Sequence, residues 1–509
     1  MLPQRPNLDQ LRRQAKELRD RARSGDTDRL GALPVTLASA QLVIAREHGF
    51  ASWAKLKDEV ERRTTDLAQR VEAFLEASVD GRTGRAVRLL AETPAIAGHD
   101  FRTAVVLGDA ARVRDLLARD PGLATRPDQR SGWTPLLGVC NSRWHRIEPR
   151  RAAGLVEVAR LLLGAGADPN GAVGSPGRRG HCSPLYAAAG LAGHPALARL
   201  LLEHGADPDT PAALYHTAFH DGDHACLRLL LEHGARAEGS ATLGAAISVD
   251  DAQAVRLLLE AGVDPRVPLP ADSLAEVDPA TPPIPAVTAA LEHDCSAELI
   301  EVLLERGADA RAEAHVMAVR RGRTDVADLL TRYGARDDTG GIDRFLGACV
   351  RADRAEAERL RPPLDRLGTN DLASIVHAAY HDNAAAVDLM LDLGFPLDAR
   401  GDDGATALHA AAAAGGLRTV RLLLARGADL EAVDTTWGST PLTWASVGSG
   451  FRMGHAEAPD WVAVVQTLIE AGASPHESWV AGKPPSGEVG ALLRRYGLAP
   501  ENDEDEAQA

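Results

Sequence analysis

The hexapeptide LLEHGA, which occurs at residues 201–206 and again at 230–235, constrains the fold of this chain more than any other feature. Close variants of it begin at Leu258, Leu303, Leu423 and Leu468. A unit this short, with an apolar run that ends in glycine, cannot bury its leucines alone and is stable only when neighbouring units cover it. The repetition therefore predicts an elongated array of small stacked units.

The segment 402–429 shows how one unit is built. Thr406 is placed to cap a first helix, and Ala410–Ala414 are strong helix formers whose small side chains let a second helix approach closely. A glycine pair then breaks the helix. The leucines at 422–424 of the second helix are consecutive, so they cannot form one apolar stripe and must be covered on several sides. Gly427 can take the left-handed conformation that ends a helix.

This unit resembles the ankyrin repeat, whose pattern is a turn, T-P-L-H-x-A-A, a glycine, a second helix ending in L-L-L, and G-A-D. The matching residues are Thr406, Leu408, His409 and Ala411, with Ala407 in place of the proline. Other copies keep the proline, at Pro135, Pro184 and Pro441. The resemblance implies an all-α ankyrin-repeat solenoid of about twelve helix-turn-helix units. It also implies a concave face, made by turns and first helices, that binds a partner.

Glycines that close the second helices recur at a period of roughly thirty residues, stretched by insertions. They are Gly166, Gly205, Gly234, Gly262, Gly307, Gly334, Gly394, Gly427 and Gly472. Divergent copies fill the remaining gaps, so we predict the array over residues 71–498. A helical leader at 1–70 is predicted to cap the first repeat, with a separate docking module as the alternative. The acidic tail at 499–509 is predicted to be disordered.

Composition and the absence of known catalytic motifs argue against several classes of function. The formal net charge of −16 argues against nucleic acid and anionic membrane as partners. The five cysteines are scattered singly, which favours neither disulfides nor a zinc knuckle and suits a reducing cytoplasm, and no apolar signal segment opens the chain. Because no P-loop, G-x-S-x-G, H-E-x-x-H or dinucleotide fingerprint is present, we predict no enzyme and no cofactor.

Four insertions interrupt the repeats, at 141–154, 171–182, 265–285 and 446–460. The first and the last lie in repeats that align without a gap, Thr134–Gly166 with Thr440–Gly472. Both place their extra residues between the two helices of a unit. Two enlarged repeats therefore bracket the array and are candidates for partner binding.

The first insertion concentrates basic side chains on an acidic protein. They are Arg143, His145, Arg146, Arg150 and Arg151. Arginine forks suit carboxylates and phosphates, so an acidic segment of a partner could dock there. The alternative is a solvated loop whose arginines pair with nearby acids. Arg178, Arg179 and His181 lie in an inter-repeat hairpin and are expected to be separate from this loop.

Tryptophans are the other candidate partner-binding residues. Trp133 and Trp437 sit beside turns, Trp144 lies in the first insertion, and Trp444 falls on a first helix. Exposed aromatic side chains make good anchors in protein interfaces. The alternative is that some of them fill the core. Trp444 is the strongest candidate for a residue of the binding groove.

The alternative function is a metal- or small-ligand-dependent enzyme or sensor that uses the His216 and His220 cluster or the arginine-rich first insertion. His216 and His220 are one helical turn apart, with Asp221, Asp223, His224 and Cys226 nearby, a spacing that can hold zinc. However, His216 falls on the histidine position of the repeat motif. His377 and His381 repeat the arrangement, which favours repeat architecture. We therefore predict a scaffold that binds another protein.

Overall fold

A computed structural model describes residues 8–31, 33–64, 67–79, 83–174, 181–219, 224–237, 241–269, 283–401, 403–451, 458–474 and 485–496. Its contacts divide the chain into two compact units. One, the 65–314 unit, also includes residues 328–336, and the other, the 337–509 unit, also includes residues 1–64 and 315–327.

The N-terminal residues form a three-helix bundle. Its helices are α1 (Leu8–Arg23), α2 (Leu37–Glu47) and α3 (Trp53–Thr64). Leu11, Ala15 and Leu18 recur at helical spacing on α1, and all three are buried in a core with residues of α2 and α3. The leader therefore buries its own apolar side chains.

Twelve helix pairs follow within the described residues, as the resemblance implied. The pairs are α4 (Leu67–Val79) with α5 (Thr83–Glu92), α6 (Phe101–Leu107) with α7 (Ala110–Arg119), α8 (Pro135–Asn141) with α10 (Ala152–Gly164), the π-helix Tyr186–Leu191 with α11 (Pro195–Glu203), α12 (Pro211–Thr217) with α13 (Ala225–Glu232), α14 (Thr242–Ser248) with α15 (Ala252–Glu260), α16 (Ala286–Glu292) with α17 (Ala297–Glu305), α18 (Ala312–Arg320) with α19 (Thr324–Arg332), α20 (Gly341–Val350) with α21 (Arg354–Leu360), α23 (Ser374–Tyr380) with α24 (Ala384–Asp392), α25 (Ala407–Ala413) with α26 (Leu417–Ala425), and α27 (Pro441–Phe451) with α28 (Trp461–Glu470). Three further helices are α9 (Trp144–Ile147), α22 (Thr369–Leu372) and α29 (Gly487–Arg495). Short 3₁₀ turns lie at Pro94–Gly98, Pro121–Ala124, Pro149–Arg151 and Leu364–Arg366.

Local sequence explains where these helices begin and end. Thr134 caps α8 by accepting a hydrogen bond from the backbone N–H of Leu137 (3.3 Å), and Pro135 follows in the first helical turn. All nine predicted closing glycines have φ between 85° and 106°, a conformation that strains other residues. Leu423 of α26 is fully buried, whereas Leu422 and Leu424 are half-buried, which confirms that this helix is covered on several sides.

Within the described residues, β-pairing is confined to the connections between repeats. In the second insertion β1 (Val173–Gly174) pairs antiparallel with β2 (His181–Cys182), in the register Val173 opposite Cys182. Isolated bridges join Leu269 to Ile284 and Arg400 to Thr406. The all-α fold class is confirmed, since these short ladders only close hairpins. Arg178, Arg179 and the tail at 499–509 lie outside the described residues.

Candidate partner-binding surface

The hairpin that precedes α27 is organised by one carboxylate, that of Asp434. This side chain accepts hydrogen bonds from the backbone N–H groups of Thr436 (2.9 Å), Trp437 (2.5 Å) and Ser439 (3.0 Å). A buried carboxylate that satisfies several turn amides fixes the shape of the turn. The turn holds Trp437 at its tip, with 55% of the residue exposed.

Trp444 of α27 extends the same arrangement toward the first helix. Its indole Nε1–H donates to Asp434 Oδ2 (2.9 Å), and its ring meets Trp437 edge-on at a centroid distance of 5.4 Å. The ring also packs edge-on against His409, at 5.7 Å. We call Trp437, Trp444, His409 and Asp434 the tryptophan cluster. It joins an exposed aromatic side chain to a half-buried one on a first helix.

The charge state of the tryptophan cluster follows from its hydrogen bonds. Burial alone would raise the pKa of Asp434, but the bonds from the Trp437 backbone, the Trp444 indole and the Ser439 backbone outweigh it and lower the pKa below its usual value. Asp434 is therefore ionised at neutral pH. Burial lowers the pKa of His409, so its imidazole is neutral there.

His409 also connects two successive repeats. Its Nδ1 accepts the backbone N–H of Thr406 (3.2 Å), and its Nε2 lies 3.0 Å from the carbonyl oxygen of Ser439. Acceptance at Nδ1 places the ring proton on Nε2, which then donates to Ser439. The motif histidine therefore caps α25 and ties that helix to the hairpin of the tryptophan cluster.

The preceding hairpin lies directly against this one. Arg400 Nη1 donates to the carbonyl oxygens of Val433 (2.8 Å) and Gly404 (2.5 Å). The carbonyl oxygen of Asp403 accepts the backbone N–H of Thr435 (3.1 Å). These backbone contacts fix the two hairpins side by side and leave the Asp403 side chain exposed.

Trp144 was predicted as a partner-binding residue, and this prediction is wrong. The residue is 1% exposed, and its ring packs on Phe74 of α4 at 5.8 Å. Its Nε1–H donates to Ser78 Oγ, 3.1 Å away, so even its polar atom is satisfied internally. The insertion folds back onto the repeats, and its tryptophan fills the core.

Two arginines of this insertion pair with an acidic residue of the same insertion. Arg151 lies 5.3 Å from the centre of the Trp144 ring and donates to the carbonyl oxygen of Leu107 (2.9 Å). Arg150 and Arg151 both pair with Glu148, and the hydrogen bond from Arg150 is the main reason that the pKa of Glu148 is lowered. Arg146 is exposed and Arg143 half-buried, and each makes further interactions. For Arg150 and Arg151, this pairing favours the alternative of a loop whose arginines pair with nearby acids.

The first insertion also contains a histidine contact that the sequence did not indicate. The rings of His145 and His194 lie 4.5 Å apart, at an angle of 50°. Burial, with smaller contributions from His194 and Arg146, lowers the pKa of His145 to about 4. Burial also lowers the pKa of His194. Both imidazoles are therefore neutral at pH 7, and the insertion is joined to the following repeat.

The two enlarged repeats share a hairpin but differ in what it presents. Asp128, which aligns with Asp434, accepts the backbone N–H groups of Arg130 (3.0 Å) and Ser131 (2.7 Å). Its Oδ2 accepts from Arg102 (2.8 Å), whereas that of Asp434 accepts from an indole. Trp133 is half-buried at the end of this hairpin. Ser131 and Gly138 stand where the second repeat has Trp437 and Trp444, so the tryptophan pair is specific to the second repeat.

The histidine arrangement of the alternative function is only partly described. His220, Asp221 and Asp223 lie outside the described residues. The ring of His216 packs against those of Tyr186 (5.3 Å) and Tyr215 (5.2 Å), in an aromatic group that Phe219 completes. His224 Nε2 lies 3.4 Å from Asp251 Oδ1. In the described part of the chain, these side chains therefore make contacts between successive repeats.

Comparison with known proteins agrees with this architecture. Residues 374–477, which contain the tryptophan cluster, match the model for ankyrin repeats in three copies, and residues 180–213 match the model for a single ankyrin repeat. The chain is 40% identical to human B-cell lymphoma 3 protein over 80 residues, or 15% of this chain and 18% of that protein. It is 35% identical to protein PhlB of Serratia liquefaciens over 116 residues, or 23% of this chain and 45% of that protein. The chain thus spans less than half the length of these two relatives. The repeat motifs, the paired helices and these matches together show that the chain contains ankyrin repeats.

Proposed function

We propose that this protein is a non-enzymatic scaffold that holds a partner protein against the tryptophan cluster and the hairpins beside it. Ankyrin repeats generally mediate protein–protein interaction, which supports the general class. The observation that carries the specific site is the exposure of Trp437 on a turn that the buried Asp434 holds in place. Tryptophan is enriched among the residues that dominate binding energy in interfaces.

The arrangement favours binding because both tryptophan side chains are already ordered before a partner binds. Trp437 is fixed by its backbone bond to Asp434 and by its contact with Trp444, and Trp444 is fixed by its own bond to the same carboxylate. A side chain that is ordered before binding loses little conformational entropy in the complex. We place the protein in the cytoplasm, since all five of its cysteines are buried thiols. None of the described helices combines the length and apolar character that a membrane crossing requires.

Quantitative capture of partners from the source cell tests the proposal. Wild-type protein is compared with Trp437→Ala and with Phe219→Ala, which removes an exposed aromatic side chain of the 65–314 unit. We expect Trp437→Ala to reduce recovery of the specific partner by about tenfold or more, since hot-spot truncations cost at least about 2 kcal/mol. Phe219→Ala should leave recovery of that partner unchanged. Equal recovery with Trp437→Ala, at an unchanged melting temperature, would rule out this site.

A third variant tests the arginines of the first insertion. Arg146 and Arg150 are its exposed arginines, so Arg146→Glu combined with Arg150→Glu reverses their charge while leaving the buried Trp144 in place. Reduced recovery of a partner would assign it to this insertion. Unchanged recovery of every partner would remove the insertion from the binding surface.

A further inference from the structure

We propose that the tryptophan cluster receives an arginine side chain from a basic segment of the partner protein. This inference rests on the proposed function and names the chemistry that the site selects. It is carried by three features of the described residues. These are an exposed indole, an ionised carboxylate bonded to the backbone N–H of the same residue and to the neighbouring indole, and an excess of carboxylates on the two hairpins.

The first step concerns the charge around the site. The exposed acidic side chains of the two hairpins are Asp398, Asp403, Asp429 and Glu431. The hairpin segments 398–406 and 429–440 contain a single cationic side chain, Arg400, whose Nη1 is already bonded to two backbone carbonyls. His409 is neutral at pH 7 because burial lowers its pKa. The surface therefore attracts a cation and repels an anionic segment.

The second step concerns the aromatic rings. A cation over the face of an indole is attracted by the negative charge of the ring face, and tryptophan gives the strongest such interaction among the aromatic side chains. Trp444 donates its Nε1–H to the ionised Asp434, and this polarises the indole toward greater electron density on the ring. Trp437 stands edge-on to that ring and is more than half exposed. Both rings are therefore suited to contact a cation.

The third step distinguishes arginine from lysine. A guanidinium is planar, stacks on aromatic faces and is less strongly hydrated than an ammonium, so it loses less hydration when it lies against an indole. Its remaining N–H groups can reach carboxylates at the edge of the ring. The exposed Asp403 lies on the hairpin that contacts the Trp437 turn through Thr435 and Thr436. An arginine side chain can therefore stack on the indole and pair with a neighbouring carboxylate at the same time.

The test uses full-length protein and a defined probe. A blocked peptide of alternating glycine and arginine is titrated by calorimetry, alongside the same peptide with citrulline in place of arginine. Citrulline keeps the shape and removes the charge. The variants are Trp437→Leu, Trp437→Phe and, as a matched control in the other unit, Phe219→Leu. Salt is held at about 0.15 M to screen long-range attraction.

We expect the citrulline peptide to bind at least about fivefold more weakly than the arginine peptide, because a partly desolvated cation–π contact contributes about 1 kcal/mol or more. Trp437→Leu should weaken arginine-peptide binding by a similar factor, and Trp437→Phe by less. Phe219→Leu should not change it. Equal affinity for both peptides, no measurable arginine-peptide binding, or wild-type affinity in a folded Trp437→Leu variant would each overturn the inference.

These outcomes separate the inference from the proposed function. If partner recovery requires Trp437 but the two peptides bind equally, the scaffold role stands and the arginine assignment falls. If the arginine peptide requires Trp437 but partner recovery does not, the assignment of partner binding to this surface falls instead.

Discussion

Three glycines allow helices in this protein to approach backbone to backbone. A methyl group added at Gly154 of α10 would overlap the carbonyl oxygen of Gly108, and one at Gly347 of α20 would overlap that of Val319. At Gly448 of α27 it would overlap the carbonyl oxygen of Ala413, the last residue of α25. The contacting atoms are backbone, so neither partner can rotate away. These glycines are required because no side chain fits between the two backbone segments, and not because of their own backbone conformation.

A pair of substitutions within α10 tests this. Gly154→Ala should lower the free energy of unfolding by about 1 to 3 kcal/mol, the usual cost of overpacking. Gly164→Ala, at the end of the same helix, meets no atom within 4 Å and should be neutral or stabilising by up to about 1 kcal/mol, since alanine favours helix over glycine. Urea unfolding measures both. Equal effects from the two variants would show that the close approach is not required.

The role of a residue can be predicted from the sequence where that role depends only on its neighbours in the chain. The closing glycines were predictable because a helix end demands a left-handed residue, whatever lies nearby. Non-glycine residues in the turns inside other helix pairs were not predicted to take positive φ, as His224, Asp250 and Asp382 do. Trp144 was assigned wrongly because its partners, Phe74 and Ser78, lie about seventy residues away in the chain. Its position in an insertion gave no indication of that contact.

At the scale of elements, the first insertion is a folded part of its repeat. Ser142 donates to the carbonyl oxygen of Val106 (2.7 Å), and Arg151 donates to that of Leu107 (2.9 Å), so the insertion covers the end of α6. His145 reaches the following pair through His194. The sequence showed an insertion between two helices and its length, but neither its short helix α9 nor the contacts that hold it.

These histidines make the stability of the insertion depend on pH. The pKa of His145 is lowered to about 4 in the folded protein, so the unfolded chain, with its ordinary value of about 6.5, takes up the proton first as pH falls. Its contribution to stability is therefore complete above about pH 6.5 and is lost as pH falls to about 4. We expect a loss on the order of 1 kcal/mol, since the residue as a whole is only half-buried. Urea unfolding at a series of pH values measures it.

His145→Gln is the diagnostic variant, and His293→Gln, which changes an exposed histidine, is its control. The His145 variant should show a shallower decline in stability between about pH 6.5 and 4 than wild type. The His293 variant should follow the wild-type curve. Parallel curves for wild type and His145→Gln would contradict the assigned burial of this ring.

At the scale of the whole molecule, every cysteine is buried. Cys140, Cys182, Cys226 and Cys295 belong to the 65–314 unit, and Cys349 belongs to the 337–509 unit. Burial raises the pKa of the Cys140 thiol and, with Cys182 adding to the effect, keeps it protonated. Burial also raises the pKa of Cys349 to about 12. Since the thiolate is the reactive form, Cys140 and Cys349 are protected both by burial and by protonation.

Thiol labelling therefore reports the opening of each unit. In native protein at about pH 8 we expect no thiol to react with Ellman's reagent at the rate of an exposed cysteine, whose pKa is about 8.5, and all five to react in urea. Mass spectrometry at intermediate urea then assigns labels to Cys349 or to the other four. Rapid labelling of any cysteine in the native protein would contradict its burial.

The overall fold could be predicted from the sequence, whereas the contacts of the tryptophan cluster could not. The all-α class and the number of helix pairs followed from one repeated motif, because each unit specifies the same local structure. The tryptophan cluster was only half predictable. Trp437 and Trp444 were selected as aromatic residues near a turn and on a first helix, but the carboxylate that holds both rings, Asp434, and the histidine beside them emerge only from the three-dimensional arrangement.

The bond between Trp144 and Ser78 has a consequence for how one end of the repeats unfolds. It links the third helix pair directly to the first and passes over the second. In a stack where each pair touches only its neighbours, a terminal pair can fray alone. Here α4 and α5 cannot detach without exposing an indole that belongs to a later repeat. We therefore expect the first three pairs to lose their structure together, as a single cooperative step.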